Sequence, residues 1–164
     1  MSPVLESSRN TALRLEALKK GHGKRRYEKK IAEEYLEAIY EIAEKRERVR
    51  PIDIAKALNV APSTVKKVLL RLSREGYVIY KPYTQLTLTE KGRNAVNMLK
   101  RRHDALAKLL TNLGMDGIKA EIEAERIEHS LSEETTHLFE RLAEFLEKDQ
   151  ETTERIKRYI ASKY

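Results

Sequence analysis

The sequence predicts a mainly α-helical protein with one small β-hairpin. In long stretches, apolar residues recur three or four positions apart and so share one helix face, as Leu36, Ile39 and Ala43 do. Residues 77–89 instead carry apolar and alternating runs on either side of a turn, which is typical of paired strands. The 164 residues suffice for one compact domain or for two small domains that share an interface.

Prolines, glycines and a capping serine set the boundaries of these elements. Pro51 and Pro62 fit the first turn of a helix, whereas Gly76 and Gly114 follow helix ends. Ser132 precedes two acidic residues and predicts another helix start. The predicted helices span residues 27–45, 51–58, 62–75, 90–113, 116–130 and 133–148, and the predicted strands span residues 77–80 and 85–89.

The charge of the chain is unevenly distributed around a formal net charge of +7. Residues 61–102 contain ten lysines or arginines and two acidic residues, whereas residues 116–151 contain twelve acidic residues and four basic ones. The first region attracts phosphate and the second repels it, so a nucleic-acid surface is expected in the first two-thirds of the chain.

The composition excludes several classes of site. The chain contains no cysteine, which excludes disulfides and thiolate metal sites. No stretch approaches the ~20 apolar residues that a membrane span requires, and no secretory signal follows Met1. We therefore expect a cytoplasmic protein.

Residues 51–70 match a helix-turn-helix, and the hairpin that follows supplies a wing. Ala55 is small enough to let two helices approach, and Asn59 occupies a turn in which asparagine tolerates positive φ. The apolar residues expected between the helices are Ile54, Leu58, Val60, Val65 and Val68. A winged helix can also serve only as a protein-interaction module, but the excess of basic residues favours DNA binding.

The second helix of such a motif presents its N-terminal residues to base edges in the major groove. Hydroxyl groups there bond bases or phosphates, lysines grip phosphates, and a wing turn reaches the DNA backbone or the minor groove. The predicted DNA-binding residues are Pro62, Ser63, Thr64, Lys66, Lys67, Arg71, Lys81, Tyr83 and Thr84.

Polar residues continue or interrupt the apolar stripes of the later helices. His103 falls within a stripe that includes Leu99 and Leu106. In the next helix, the spacing of Ile118 and Ile122 leads on to a glutamate and a histidine. A buried carboxylate without a partner costs several kcal/mol, so such residues need a cation, a hydrogen bond or water.

These residues, with a pair of glutamates on the first helix, make a candidate metal site. The set is Glu34, Glu37, His103, Glu125, Glu128 and His129. Oxygen and nitrogen donors without sulfur suit Mn(II), and suit Fe(II) or Zn(II) less selectively. Simpler interpretations also exist. Glu34 and Glu37 can belong to a solvated helix face, and His103 can be a core histidine that is satisfied by a hydrogen bond.

The chain resembles the diphtheria toxin repressor family, and especially its manganese transport regulator branch. The matching segments occur in family order at residues 34–40, 53–58, 62–65, 86–92, 102–103 and 125–132. The resemblance implies that all six candidate residues are metal ligands. The iron-responsive branch typically has Met and Cys where this chain has Glu34 and Glu125, so the two carboxylates favour a manganese-type binuclear site.

The resemblance also implies a domain organisation and a mechanism. We expect a mobile basic arm over residues 1–26, a winged helix-turn-helix over 27–95, a helical metal-binding and dimerisation domain over 96–148, and a helical tail over 149–164. Metal is expected to fix the DNA-binding domain against the domain that pairs two subunits, so that a homodimer meets both halves of a palindromic operator. The implied output is repression of metal-uptake genes.

Three other readings are open at this point. The first is a metalloenzyme, although the paired Glu-x-x-His repeats of di-iron bundles and any sign of a nucleophile are missing. The second is a winged-helix regulator that responds to Fe(II), to Zn(II) or to a non-metal effector. The third is a structural nucleoid protein, which predicts little sequence preference and steep salt dependence.

Overall fold

The computed structural model describes residue 16 and residues 24–46, 48–81 and 85–162. Its elements are α1 (Lys24–Lys45), α2 (Pro51–Ala57), α3 (Pro62–Arg74), β1 (Val78–Ile79), β2 (Thr87–Leu88), α4 (Glu90–Asn112), α5 (Gly117–Ile127), a 3₁₀ turn (Glu128–Ser130), α6 (Glu133–Lys148) and α7 (Gln150–Ala161). The mainly helical fold with one hairpin is confirmed. Within the described residues, no helix is both long enough and apolar enough to cross a membrane.

The ends of the chain differ in part from the prediction. Helix α1 begins three residues earlier than expected, at Lys24, so the end of the predicted basic arm is helical. The rest of the arm lies outside the described residues, apart from residue 16. Within the predicted tail, Gln150–Ala161 form α7, whose first turn is capped by Asp149 through the backbone amide of Thr152.

Helices α1 to α3 and the hairpin enclose one apolar core. Its fully buried members include Leu36, Ile54, Val65 and Leu69. Asn59 links α2 to α3 with a φ of 51°, as the helix-turn-helix prediction required. The hairpin is antiparallel, but each strand has only two paired residues, Val78 with Leu88 and Ile79 with Thr87.

Helix α4 leaves this core and forms the spine of a second helical layer. Val96 is buried in the first core, whereas Leu106 packs with Ala124 of α5 and Leu109 packs with residues of α6. The two isoleucines of α5 do not lie on its buried face. Ile118 and Ile122 are 74% and 49% exposed, because α5 turns its small residues, not its large ones, towards α4.

Gly92 lets the start of α4 approach the chain between α3 and the wing. Thr89 caps α4 by accepting from Gly92 N, and its hydroxyl donates to the carbonyl of Gly76 or Tyr77. A Cβ at position 92 would overlap the carbonyl oxygen of Tyr77. The segment from residue 86 to Gly92 therefore fixes α4 to the first core.

Replacing Gly92 by alanine is expected to destabilise the fold by about 1–3 kcal/mol, because the main chain of Tyr77 must move. Gly117→Ala is the matched control, since an added Cβ there meets no described atom within 4 Å. Chemical denaturation followed by circular dichroism measures both variants. Equal midpoints for the two would contradict the close approach.

Candidate metal centre and DNA-binding surface

Four side chains from two parts of the fold converge on one point. Glu37 comes from α1, Glu125 from α5, and Glu128 and His129 from the 3₁₀ turn. One ligand atom of each lies within 4.8 Å of the corresponding atoms of the others. This cluster joins α1, which packs in the first core, to the second helical layer.

The 3₁₀ turn after α5 determines which of these residues are buried. Glu128 is fully buried and His129 is 7% exposed, whereas the side chain of Glu125, one turn earlier, is 57% exposed. The tighter turn directs both residues inwards before Ser132 caps α6 by accepting from Thr135 N. The helix was predicted to continue to residue 130, but it ends at Ile127, before Glu128.

Glu128 is the electrostatic centre of the cluster. Its Oε2 lies 2.9 Å from Nδ1 of His103, while its Oε1 is buried with no hydrogen-bond partner among the described residues. Burial raises the pKa of Glu128 to about 7, and the negative charges of Glu37 and Glu125 contribute further to this rise. Burying a carboxylate oxygen without a hydrogen bond is unfavourable, and a cation bound to that oxygen would offset the cost.

Three neighbours of Glu128 also hold protons more tightly than usual. Burial, followed by the charge of Glu125, raises the pKa of Glu37. The pKa of His129 is raised, first by its hydrogen bond to Glu33. Burial lowers the pKa of His103, but its bonds to Glu121 and Glu128 outweigh burial and leave it raised. The cluster therefore favours extra positive charge, supplied by protons or by a metal ion.

The donors present fit a divalent metal ion. Three carboxylates and one imidazole, without sulfur, form an oxygen-rich set of the type that Mn(II) and related ions prefer. The unpartnered oxygen of Glu128 supplies an independent reason for a cation there.

Of the six predicted ligands, the structure brings five close together. His103 belongs to the site through its contact with Glu128 and lies 3.8 Å from Glu125. Glu34 is not in the cluster: its side chain is 38% exposed and lies 3.7 Å from Lys30 on the same helix. On the same helix, Glu33 is buried and Glu37 lies in the cluster, whereas Glu34 takes part in neither contact.

The N-terminal half of α3 forms a continuous exposed surface. Helix α3 buries Val65, Leu69 and Leu72. The predicted DNA-binding residues that it leaves exposed are Pro62, Ser63, Thr64, Lys66 and Lys67. Lys81, at the start of the wing turn, is exposed as well, whereas the predicted contacts Tyr83 and Thr84 lie outside the described residues.

Arg71 has a different setting from the other predicted DNA-binding residues. Its Nη2 donates to the backbone carbonyl of Glu28 at 3.1 Å, and its side chain is only 27% exposed. The guanidinium therefore supports the packing of α3 on α1 and is turned away from the exposed residues at the start of α3.

Two family models together match most of the chain. One, described as the N-terminal DNA-binding domain of iron-dependent repressors, matches residues 29–86, and the other, described as their metal-binding and dimerisation domain, matches residues 89–157. The chain belongs to the iron-dependent repressor family. The resemblance to the diphtheria toxin repressor and the manganese transport regulator is thereby confirmed. This iron-dependent repressor homologue is a metal-dependent, DNA-binding transcription regulator that pairs as a homodimer, and its family is not one of enzymes.

Individual members of the iron-dependent repressor family support this assignment. The chain is 35% identical to the HTH-type transcriptional regulator MntR of Lysinibacillus sphaericus (strain C3-41) over 131 residues, which cover 80% of this chain and 92% of that protein. A manganese-dependent transcriptional repressor in complex with manganese is 29% identical with a TM-score of 0.62, over 70% of this chain and 53% of that one. The manganese regulator SloR is 27% identical with a TM-score of 0.59, over 70% and 54%. The chain thus spans about half the length of these two solved proteins.

Three residues around the candidate ligands were not predicted. Glu33 lies 3.1 Å from Nδ1 of His129, Arg102 donates to Glu33, and Oε2 of Glu121 lies 2.6 Å from Nε2 of His103. Arg102 carried a detectable signal, because it continues the buried stripe of α4 three residues after Leu99. Glu121 carried none, since it is an exposed glutamate in an acidic helix.

Proposed function

We propose that the protein represses metal-uptake genes in response to Mn(II), which it binds at Glu37, Glu125, Glu128, His129 and His103. The observation that carries the proposal is the fully buried Glu128, whose unpartnered oxygen faces donors from both halves of the chain. The oxygen-rich donor set and the manganese-dependent relatives favour Mn(II) over Fe(II) and Zn(II). Glu34 is a possible ligand only after a change of its side-chain conformation.

The proposed mechanism uses the joint between two domains. The predicted domain boundary near residue 95 falls within α4, which packs Val96 into the first core and Leu106 into the second. A bound divalent ion supplies positive charge that neutralises the clustered carboxylates. Glu37 then holds α1 against Glu128 and His129 of the second domain. Without this neutralisation, the carboxylates repel one another and loosen the joint.

Restricting this joint favours DNA binding by a dimer. Two copies of α3 must reach major grooves one turn apart, and a fixed distance between them lowers the ordering cost of binding. The exposed residues Ser63 and Thr64 are proposed to contact base edges, and Lys66, Lys67 and Lys81 to contact phosphates. A palindromic operator matches this symmetry, and the site of action is the cytoplasm.

Titration calorimetry of chelator-stripped protein with Mn(II), anaerobic Fe(II) and Zn(II) tests the metal centre. We expect one or two sites per chain, which Glu125→Ala/His129→Ala weakens by more than about 100-fold, since these are direct ligands and not supporting residues. Glu44→Ala, at an exposed position of α1, is the matched control. Saturable binding that survives the double substitution would overturn the assignment of these ligands.

We further propose that the exposed apolar faces of α5 and α6 form the homodimer interface. Leu138, Leu142 and Phe145 lie at helical spacing on α6 and are 61%, 45% and 52% exposed, while Ile118 and Ile122 extend along α5. Apolar stripes of this kind on a dimerisation domain are expected to be covered by the second copy.

Each apolar face can be tested separately by light scattering coupled to size-exclusion chromatography. Leu138→Glu/Leu142→Glu and Ile118→Glu/Ile122→Glu are each expected to shift the mass from dimer to monomer, because charges would be buried without partners. Met98→Glu, which is 40% exposed on α4, is the control. A pair of substitutions that leaves the mass unchanged removes that face from the interface.

A further inference from the structure

A buried polar network lies beside the candidate metal centre. Oε1 of Glu33 accepts a hydrogen bond from Nη1 of Arg102 at 3.2 Å, and its Oε2 lies 3.1 Å from Nδ1 of His129. The three residues are 8%, 5% and 7% exposed. They come from α1, α4 and the 3₁₀ turn, so the network crosses the same joint as the cluster itself.

Stability alone does not account for this network. Buried ionic groups cost several kcal/mol in lost hydration, and well-packed apolar residues often serve the fold equally well. Nε of Arg102 has no partner among the described residues, so the guanidinium is not optimally placed for stability either. The position of Glu33 next to His129 indicates that the network orients the imidazole ring.

The hydrogen bond assigns distinct roles to the two nitrogens of His129. Glu33 is a carboxylate acceptor, because its Oε1 accepts from Arg102 at 3.2 Å and lies 3.5 Å from Nζ of Lys29. Nδ1 of His129 must therefore carry a proton and donate it. Nε2 is then the nitrogen with a free lone pair for the cluster that His129 shares with Glu37 and Glu128.

We propose that Glu33, anchored by Arg102, is a positioning residue that fixes the tautomer and orientation of His129 for metal binding. This inference rests on the proposed metal centre. Carboxylates behind metal-bound histidines act in this way generally and raise the basicity of the ligand. Glu33 lies one turn before Glu37 on α1. The helix therefore contacts the metal centre twice, through the proposed ligand Glu37 and through the hydrogen bond of Glu33 with the proposed ligand His129.

Two double variants separate the hydrogen bond from the buried ion pair. Glu33→Gln/Arg102→Met and Glu33→Leu/Arg102→Met both remove the two charges, but only glutamine keeps an acceptor for His129. With Co(II) as the probe, followed by its visible absorption, the leucine variant is expected to bind roughly 10–100-fold more weakly than the glutamine variant. Glu44→Gln, exposed on the same helix, is expected to bind as the wild type does.

The second measurement needs no variant. In wild-type protein loaded with Zn(II), nitrogen NMR of His129 is expected to show a protonated Nδ1 and a metal-bound Nε2. Two outcomes would overturn the role of Glu33 and leave the metal centre standing. One is metal bound at Nδ1 of His129, and the other is a wild type that binds Co(II) together with leucine and glutamine variants of equal Co(II) affinity. A wild type that binds neither Co(II) nor Zn(II) would overturn the metal centre itself, and the inference with it.

Discussion

Glutamine in place of Glu128 is expected to stabilise the metal-free protein at about pH 8 and to remove its stabilisation by Mn(II). The carboxyl group is fully buried and has a pKa of about 7, so at this pH the fold must bury an ionised group. Relative to its ordinary pKa near 4.5, this costs up to about 3 kcal/mol. Glutamine is neutral, and its carbonyl still accepts from Nδ1 of His103.

Thermal unfolding followed by circular dichroism measures both effects. Without metal, Glu128→Gln is expected to melt roughly 5–10 °C above the wild type. Added Mn(II) is expected to raise the melting temperature of the wild type only, because the amide supplies no charge to the ion. Glu144→Gln, at an exposed position of α6, is the control and is expected to change neither value. A metal-free variant that melts below the wild type would contradict the electrostatic strain assigned to Glu128.

Local patterns were sufficient to predict most of the fold. Pro51, Pro62 and Ser132 mark helix starts correctly, and Asn59 adopts the positive φ that the turn requires. Such signals depend on a few neighbouring residues, so helix starts and turns can be predicted without knowledge of the tertiary contacts. The strands were predicted too long, because alternation continues beyond the two residues of each strand that actually pair.

The site was predictable where a polar residue replaces an apolar one on a buried stripe. His103 shows this on α4, and five of the six predicted ligands come together. Spacing could not separate Glu34 from its neighbour Glu33, because that choice depends on the rotation of α1 against α4. Nor could it show that Ile118 faces outwards, since an exposed apolar stripe and a buried one have the same spacing along a helix.

The second large effect is a pH dependence in which metal-free and metal-loaded protein change in opposite directions. The pKa values of Glu128, Glu37, His103 and His129 are all raised in the fold. A raised pKa contributes stability below the unfolded value, near 4.5 for glutamate and 6.5 for histidine, and this stability is lost as the pH rises through the folded value. The metal-free protein is therefore expected to lose stability as the pH rises from about 4.5 through the pKa of about 7 of Glu128, and the histidine contributions are lost above pH 6.5.

Metal binding is expected to strengthen over the same range, because the ion must displace the protons that these groups hold. Below the pKa of about 7 of Glu128, each unit of pH should change the Mn(II) affinity by about tenfold or more. Calorimetry in two buffers of different ionisation enthalpy counts the protons released, and melting curves with chelator or Mn(II) follow the stability. The lowered pKa of Glu33 acts only below about 4.5 and leaves this window unaffected. An affinity that is constant across the range would mean that Glu128 is already ionised in the metal-free fold, and that its unpartnered oxygen is neutralised by something other than a proton.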